Sequence, residues 1–208
     1  MNFGFSEEQE LLRAEVRRFL DQNAPMERVR ELSEAGQGHD PALWARMAEL
    51  GWVGLTMPER HGGVGLDLET LIVVLEETGR TLFPSPLVST VLAAKAIERF
   101  GSAEQQARWL PSLADGSSIG TFAFLERGDS LSPAGVETRA KVDGEDLIVS
   151  GEKLFVTDAG SADLFVVAVR TGSDPEAISL VVVDRETAGV EARDFEGMDL
   201  TKKIGRLA

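Results

Sequence analysis

One segment of the chain groups side chains that a small molecule could use. Glu152-Lys153-Leu154-Phe155-Val156-Thr157-Asp158-Ala159-Gly160 joins a strand-like run to a turn and gathers an aromatic ring, a small hydroxyl and turn amides. Such a group suits a flat heteroaromatic ring, stacked on its face and hydrogen-bonded at its edge. Local chemistry alone favours an ordinary strand-to-turn transition with Phe155 in the core, because short motifs mislead often. Gly62, Gly63 and Gly65 invite comparison with a phosphate-binding loop, yet they follow helical sequence and lack the Lys-Ser/Thr or βαβ context. A tight turn feeding a helix at Asp67 is the better reading. His39 and His61 stand in polar loops without a second imidazole or carboxylate at ligand spacing, and read as solvated loop residues. Glu76 and Glu77 are neighbours on one helix, pointing about 100° apart, so they do not form a facing acid/base pair. One is expected to be exposed and the other hydrogen-bonded.

The elements that position these residues can be read from caps and periodicity. Ser6 with Gln9 forms a capping box, and Leu12, Val16, Phe19 and Leu20 then share one face until Asn23 and Pro25 stop the helix. Asp40 before Pro41 opens a second helix through Leu50 that ends at Gly51. The helix from Asp67 carries Leu71 to Leu75, apolar on nearly every side, which predicts a buried helix. Pro86 to Phe100 is a further helix, and Ser102 with Gln105 repeats the capping box for one through Trp109 and Leu113. The first half is therefore all-α, with about five or six helices. From Ile119 the texture changes to β-branched runs and Gly/Asp turns, placing a boundary near Asp115 to Ser118 and two domains at 1–117 and 118–208. Val136, Thr138, Ala140 and Val142 alternate with polar residues, Asp143-Gly144 supplies a hairpin turn, and Leu147 and Val149 return. Leu164 to Val169 and Ile178 to Val183 have strand length, while Val190 to Arg193 and Met198 to Leu207 read as weaker edge strands. The fold class is α+β, an all-α domain followed by an antiparallel β-barrel or sandwich.

Composition narrows the function. A formal net charge of −14 over 208 residues disfavours nucleic acid and anionic membrane as partners. A local cluster such as Lys202, Lys203 and Arg206 still leaves room for an anionic ligand. With no cysteine there is neither disulfide nor thiolate chemistry, and no metal site is expected. The opening Phe3, Phe5, Glu7 and Glu8 lacks the basic and apolar regions of a secretory signal, and no apolar run reaches membrane-spanning length, so a cytoplasmic protein is expected.

Four stretches, in order along nearly the whole chain, together resemble the acyl-CoA dehydrogenase family. They are Phe5-Ser6-Glu7-Glu8-Gln9 with its Arg-rich helix; Pro58-Glu59-Arg60-His61-Gly62-Gly63-Val64-Gly65 with Glu76-Glu77 and Arg80; Phe100-Gly101-Ser102-Ala103-Glu104-Gln105-Gln106 with Trp109-Leu110-Pro111; and Gly151-Glu152-Lys153 through Thr157-Asp158-Ala159 with Ala162-Asp163. The resemblance implies a helical N-terminal domain, a middle β-barrel that packs against FAD, and α,β-dehydrogenation of an acyl-CoA thioester. In that family a carboxylate of a further helical domain removes the α-proton while the β-hydride passes to the flavin, and electrons leave to an electron-transfer flavoprotein or similar acceptor. It also implies a homo- or hetero-oligomer. Carried over by position, Phe155 walls the flavin, Thr157 hydrogen-bonds near its N5 edge, and Phe124, Leu125 and Val156 complete the cofactor set, with Ser130 on the substrate side.

Two departures from the family pattern stand out. Where it shows Leu-Thr-Glu-Pro and then Gly-Ser-Asp, this chain reads Phe124-Leu125-Glu126-Arg127-Gly128-Asp129-Ser130, so a flavin-contacting threonine is replaced by Leu125. The loss of one neutral hydrogen bond, about 0.5–1.5 kcal/mol, weakens flavin binding perceptibly without abolishing it. The sequence also stops at Arg206-Leu207-Ala208, within what resembles the last strand of the middle domain. The family's catalytic base is therefore expected from a further domain or a partner chain. Besides the dehydrogenase, a non-catalytic subunit serving a flavin-binding partner and a flavin oxidase or monooxygenase on the same scaffold are the competing readings.

Overall fold

A computed structural model describes residues 4–36, 38–144 and 146–208; Phe3 of the opening segment lies outside them. Among the described residues six α-helices come first: α1 (Glu7–Asn23), α2 (Met26–Glu34), α3 (Pro41–Glu49), α4 (Leu68–Arg80), α5 (Leu87–Phe100) and α6 (Ala103–Ala114). Both capping boxes form, Ser6 with Gln9 and Ser102 with Gln105, and Asp40 and Asp67 cap α3 and α4 through their side chains. Each satisfies amides that the first helical turn leaves unpaired. The helix α2 starts directly behind Pro25, where the sequence reading places only a stop. In α4, Leu71, Val73 and Val74 are buried but Ile72 and Leu68 are exposed, so this helix lies at the surface on one side rather than wholly inside. Its charged end is tied to α1. Arg17 reaches Glu77 with two bonds of 3.0 and 2.6 Å, Arg80 adds one of 2.8 Å, and Arg13 meets the exposed Glu76 at 2.7 Å.

Eight strands follow: β1 (Gly120–Ala123), β2 (Arg139–Asp143), β3 (Asp146–Ser150), β4 (Lys153–Thr157), β5 (Leu164–Arg170), β6 (Ile178–Asp184), β7 (Ala192–Asp194) and β8 (Ile204–Leu207). The antiparallel hairpin β2–β3 forms with Ala140 opposite Val149, but Asp143 pairs with Asp146 and so belongs to the strand, leaving Gly144 at φ +64° in the turn. The expected closed antiparallel barrel does not form among the described residues. The strands make two sheets, one ordered β1-β5-β2-β3 with β6 also on β5, the other β4-β8-β7. The first sheet is mixed, because β1 runs parallel to β5 from Gly120–Leu164 to Ala123–Val167. The excursion through β2, β3 and β4 between them is long enough for a parallel return. Only Ile204–Leu207 of the expected strand Met198 to Leu207 is extended, and it is the centre of its sheet instead of an edge; the preceding loop leaves Met198 fully exposed. The other expected edge strand lies at Ala192–Asp194 and is an edge.

The helical and β regions share their core. Ala93, Ile97, Leu110 and Leu113 of α5 and α6 pack with Leu164 and Val166 of β5. Gly120 permits that approach, since a Cβ there would sit 2.8 Å from the Ala93 methyl and 3.0 Å from Leu113. Burial on both faces explains why β5 is an unbroken apolar run.

Candidate functional site

The segment 153–158 departs from ordinary strand alternation, and the departure creates an exposed aromatic surface. The β4–β8 register shifts between Leu154 and Val156, with Phe155 at φ +55° as the extra residue of a β-bulge. Lys153 and Val156 both point inward, each 1 % exposed, while Leu154 and Phe155 both face outward. Phe155 is consequently 53 % exposed, which overturns the expectation of a core phenylalanine.

Phe155 lines a depression of about 400 Å³ together with Phe122, Phe124, Leu125, Leu131 and Leu154. The rings of Phe122 and Phe124 are 6.3 Å apart and within 14° of parallel. The amide of Leu154 donates to the carbonyl of Leu125 at 2.8 Å, joining the two segments that form the depression. Val156 contributes its side chain to the core and offers a ligand only its backbone. Thr157 is half-buried just outside the lining set. Its carbonyl accepts from Thr121 Oγ1 at 2.6 Å, whereas its hydroxyl makes no hydrogen bond to any described residue and is free to serve a ligand. Ser130 is also outside the depression, its Oγ accepting from the Ser132 amide at 3.2 Å. Of the six positions expected to contact ligand, the structure therefore brings Phe124, Leu125 and Phe155 into one surface, with Thr157 one buried residue further along β4.

A buried ion pair that the sequence reading misses fixes this surface from behind. Lys153 Nζ donates to Glu126 Oε1 at 2.6 Å and to the Phe124 carbonyl at 3.1 Å, and Glu126 also accepts from the amides of Glu137 at 2.9 Å and Thr138 at 3.0 Å. Burial pushes the Glu126 carboxyl up, but Lys153 and these amides outweigh it and hold the group below the usual carboxylate range. The signal in the sequence is Lys153 itself, a cation at an inward position of a strand. The turn after β4 holds a second buried acid. Asp158, at φ +55°, accepts from Ser89 Oγ at 2.6 Å and lies 3.4 Å from Lys202 Nζ; burial raises its pKa despite the nearby lysine.

The remaining candidates are structural. Gly62 ends a 3₁₀ turn at φ +85°, and Gly63 lies against the Met57 carbonyl, where no Cβ fits; this is a turn leading to the Asp67 cap. His39 is not a solvated loop residue. It packs edge-on against Trp44 at 6.4 Å, and burial lowers its pKa. His61 is likewise part-buried, its Nε2 without a hydrogen-bond partner among the described residues. Glu76 is exposed and Glu77 buried, as neighbours pointing apart should be, but both are hydrogen-bonded, Glu76 by Arg13 and Glu77 by Arg17 and Arg80.

Family models for the acyl-CoA dehydrogenase N-terminal domain and middle domain match residues 6–117 and 121–205. The chain belongs to the acyl-CoA dehydrogenase family. It is 32 % identical over 196 residues to the mitochondrial long-chain specific acyl-CoA dehydrogenase of Sus scrofa, a match covering 89 % of this chain and 44 % of that protein. The structure resembles an acyl-CoA dehydrogenase complexed with FAD from Bacillus anthracis, with TM-score 0.87 and 26 % identity over 98 % of this chain and 36 % of that one. It also resembles a chain of the ChsE4-ChsE5 complex from Mycobacterium tuberculosis, with TM-score 0.87 and 29 % identity over 100 % of this chain and 55 % of that one. The chain thus spans about half the length of these relatives, or less. No helix of the described residues is long and apolar enough to cross a membrane.

Proposed function

We propose that this chain supplies the flavin-facing half of an FAD-dependent acyl-CoA dehydrogenase, with residues 1–117 as its helical domain and 118–208 as its middle domain. The observation that carries the reading is the bulge at Phe155, which turns an aromatic ring out of the fold into an apolar depression beside Phe122 and Phe124. An apolar depression with one unsatisfied hydroxyl close by suits a ring system that has hydrophobic faces and polar edges. Phe155, Phe124 and Leu125 would hold the ring, the Val156 backbone and Thr157 hydroxyl would supply its polar contacts, and Ser130 would face the acyl-CoA. FAD, when bound, supplies the acceptor for the hydride leaving the acyl β-carbon. This chain's own residues orient the ring and exclude water from one side, which strengthens every polar contact made there. The base that removes the α-proton comes from residues outside this chain, in a further domain or a partner. A soluble electron carrier such as an electron-transfer flavoprotein then re-oxidises the site, and we place the assembly in the cytosol.

A second reading is favoured by one observation. Leu125 offers its side chain only as apolar surface, so the chain can serve as a non-catalytic subunit that keeps the fold while its partner holds FAD. The ChsE4-ChsE5 complex from Mycobacterium tuberculosis, one chain of which this structure resembles, fits that possibility. The visible spectrum of the full chain purified with its natural partner separates the two. Flavin retained near one per site and lost in Phe155→Ala supports the first reading. Flavin absent after reconstitution refutes it, and acyl-CoA turnover with an artificial acceptor, set against oxygen uptake, distinguishes dehydrogenase from oxidase.

A further inference from the structure

The turn that follows β4 is held by a carboxylate that spans the two regions of the fold. Asp158 is 1 % exposed and sits at φ +55°, a left-handed conformation that Asp and Asn tolerate better than other side-chain-bearing residues. Its carbonyl accepts from the amides of Ser161 and Ala162, both at 3.0 Å, and its own amide donates to the Lys203 carbonyl at 2.9 Å. Its carboxylate accepts from Ser89 Oγ of α5 at 2.6 Å and faces Lys202 Nζ at 3.4 Å, which itself donates to the Ser85 carbonyl at 2.9 Å. One side chain thus joins the start of α5, the turn 158–162 and the loop before β8.

Stability does not account for a carboxylate here. An apolar side chain would fill the space without the desolvation that a buried charge incurs. What a carboxylate adds is direction, because hydrogen bonds to Ser89 and Lys202 specify one orientation of the turn where packing alone would tolerate several. The residue so fixed is the one adjacent to Thr157, whose backbone is pinned on its other side by Thr121 Oγ1.

We propose that Asp158 is a positioning residue: anchored by Ser89 and Lys202, it sets the turn after β4 and thereby the direction of the Thr157 hydroxyl and the Phe155 ring. The consequence for ligand binding rests on the flavin reading above; the consequence for the turn does not.

The test uses the 208-residue chain, with its natural partner where FAD is titrated, as wild type, Asp158→Ala, Asp158→Asn and Ser89→Ala. Amide exchange is followed for peptides covering residues 153–163 and 85–93, and FAD affinity by flavin fluorescence. Asp158→Ala is expected to raise exchange in both peptides on the order of tenfold and to weaken FAD binding by a similar factor, as loss of a charge-assisted hydrogen bond implies. Asp158→Asn, which retains the left-handed preference and an acceptor for Ser89, is expected to restore both. Should Asp158→Ala unfold, Ser89→Ala removes only the hydroxyl and gives the same two readouts in a folded chain, with a smaller increase expected. Unchanged exchange over 153–163 overturns the proposal. So does wild-type FAD affinity and spectrum in a variant whose turn has loosened. If the wild type binds no FAD even with its natural partner present, the flavin reading fails, while the exchange data still decide the role of Asp158.

Discussion

Removing either partner of the Lys153–Glu126 pair should destabilise the chain strongly and unequally. Lys153 and Glu126 are 1 % and 8 % exposed, so neither can recover its lost contact from water. Breaking a buried pair by deleting one partner costs about 3–5 kcal/mol. Lys153→Met belongs near the lower end, because Glu126 keeps the amides of Glu137 and Thr138 at 2.9 and 3.0 Å as donors. Glu126→Leu belongs at the upper end or beyond. It leaves the ammonium with only the Phe124 carbonyl at 3.1 Å, orphans the buried Thr138 amide at about 1–3 kcal/mol, and frees the part-buried Glu137 amide at a smaller cost. In the double variant the charge penalty disappears but the unpaired amides remain, so its cost should fall below the sum of the single costs by roughly 2–3 kcal/mol.

Urea unfolding at neutral pH, with unchanged m-values, measures all four corners of that cycle. The same variants should lose FAD, since Lys153 secures the Phe124 carbonyl and the next residue's amide secures that of Leu125. Additivity within about 0.5 kcal/mol would refute the reasoning, because it would mean that the two side chains do not act as a pair.

Three further outcomes are expected. Glu77, held at a pKa of about 2 by Arg17 first and then Arg80 against the pull of burial, has a folded pKa below its ordinary 4.5. Its stabilisation is therefore complete above about pH 4.5 and is lost as pH falls toward 2, at most about 3 kcal/mol and roughly 2 once the half-exposed arginines are allowed for; Glu77→Gln should flatten that part of the urea-midpoint profile. Phe155→Gly should leave the stability of the unliganded chain unchanged or raise it by up to about 1 kcal/mol, relieving a left-handed phenylalanine whose ring is half exposed, while FAD binding weakens; a large loss of thermal stability would show that the ring is structural. Leu125→Thr should tighten FAD binding up to about tenfold by restoring a hydroxyl donor, measurable by titration of flavin fluorescence, and no change would place Leu125 away from the ring edge.

The helices were legible because their signals are local. Ser6, Asp40, Asp67 and Ser102 each cap the helix that begins behind them, and the hydrogen bond in question spans three residues or fewer. The hairpin was legible for the same reason, with an error of one position in its turn. What escaped depends on partners distant in sequence. The parallel pairing of β1 with β5 joins residues more than forty apart, and nothing within Gly120–Ala123 announces the direction of its neighbour. The place of β8 at the centre of its sheet is set by β4 and β7 together. At the site, the ring of Phe155 is plain in the sequence, but its exposure follows from a bulge that reverses the alternation, and an aromatic residue at positive φ carries no sequence signature. Lys153 stands out as a cation within a strand, but Glu126 looks like an ordinary surface charge until the fold brings the two to 2.6 Å.

The backbone adds an argument for the site that is independent of resemblance. Among the described residues four non-glycines have positive φ: Leu82, Asp129, Phe155 and Asp158. Leu82 follows the end of α4, where a left-handed residue commonly ends a helix. The other three lie on the two segments joined by the Leu154–Leu125 hydrogen bond, one of them the exposed ring itself. Each such residue stores on the order of 1 kcal/mol, and strain of this kind persists only where surrounding contacts impose it. The contacts here are the Lys153–Glu126 pair beneath one segment and the Ser89–Asp158–Lys202 group beneath the other. Two buried polar groups thus hold a strained, apolar and half-exposed surface that folding alone would not select. Relieving the strain at Phe155 and loosening the support at Asp158 should therefore affect ligand binding together, while moving the stability of the unliganded chain in opposite directions.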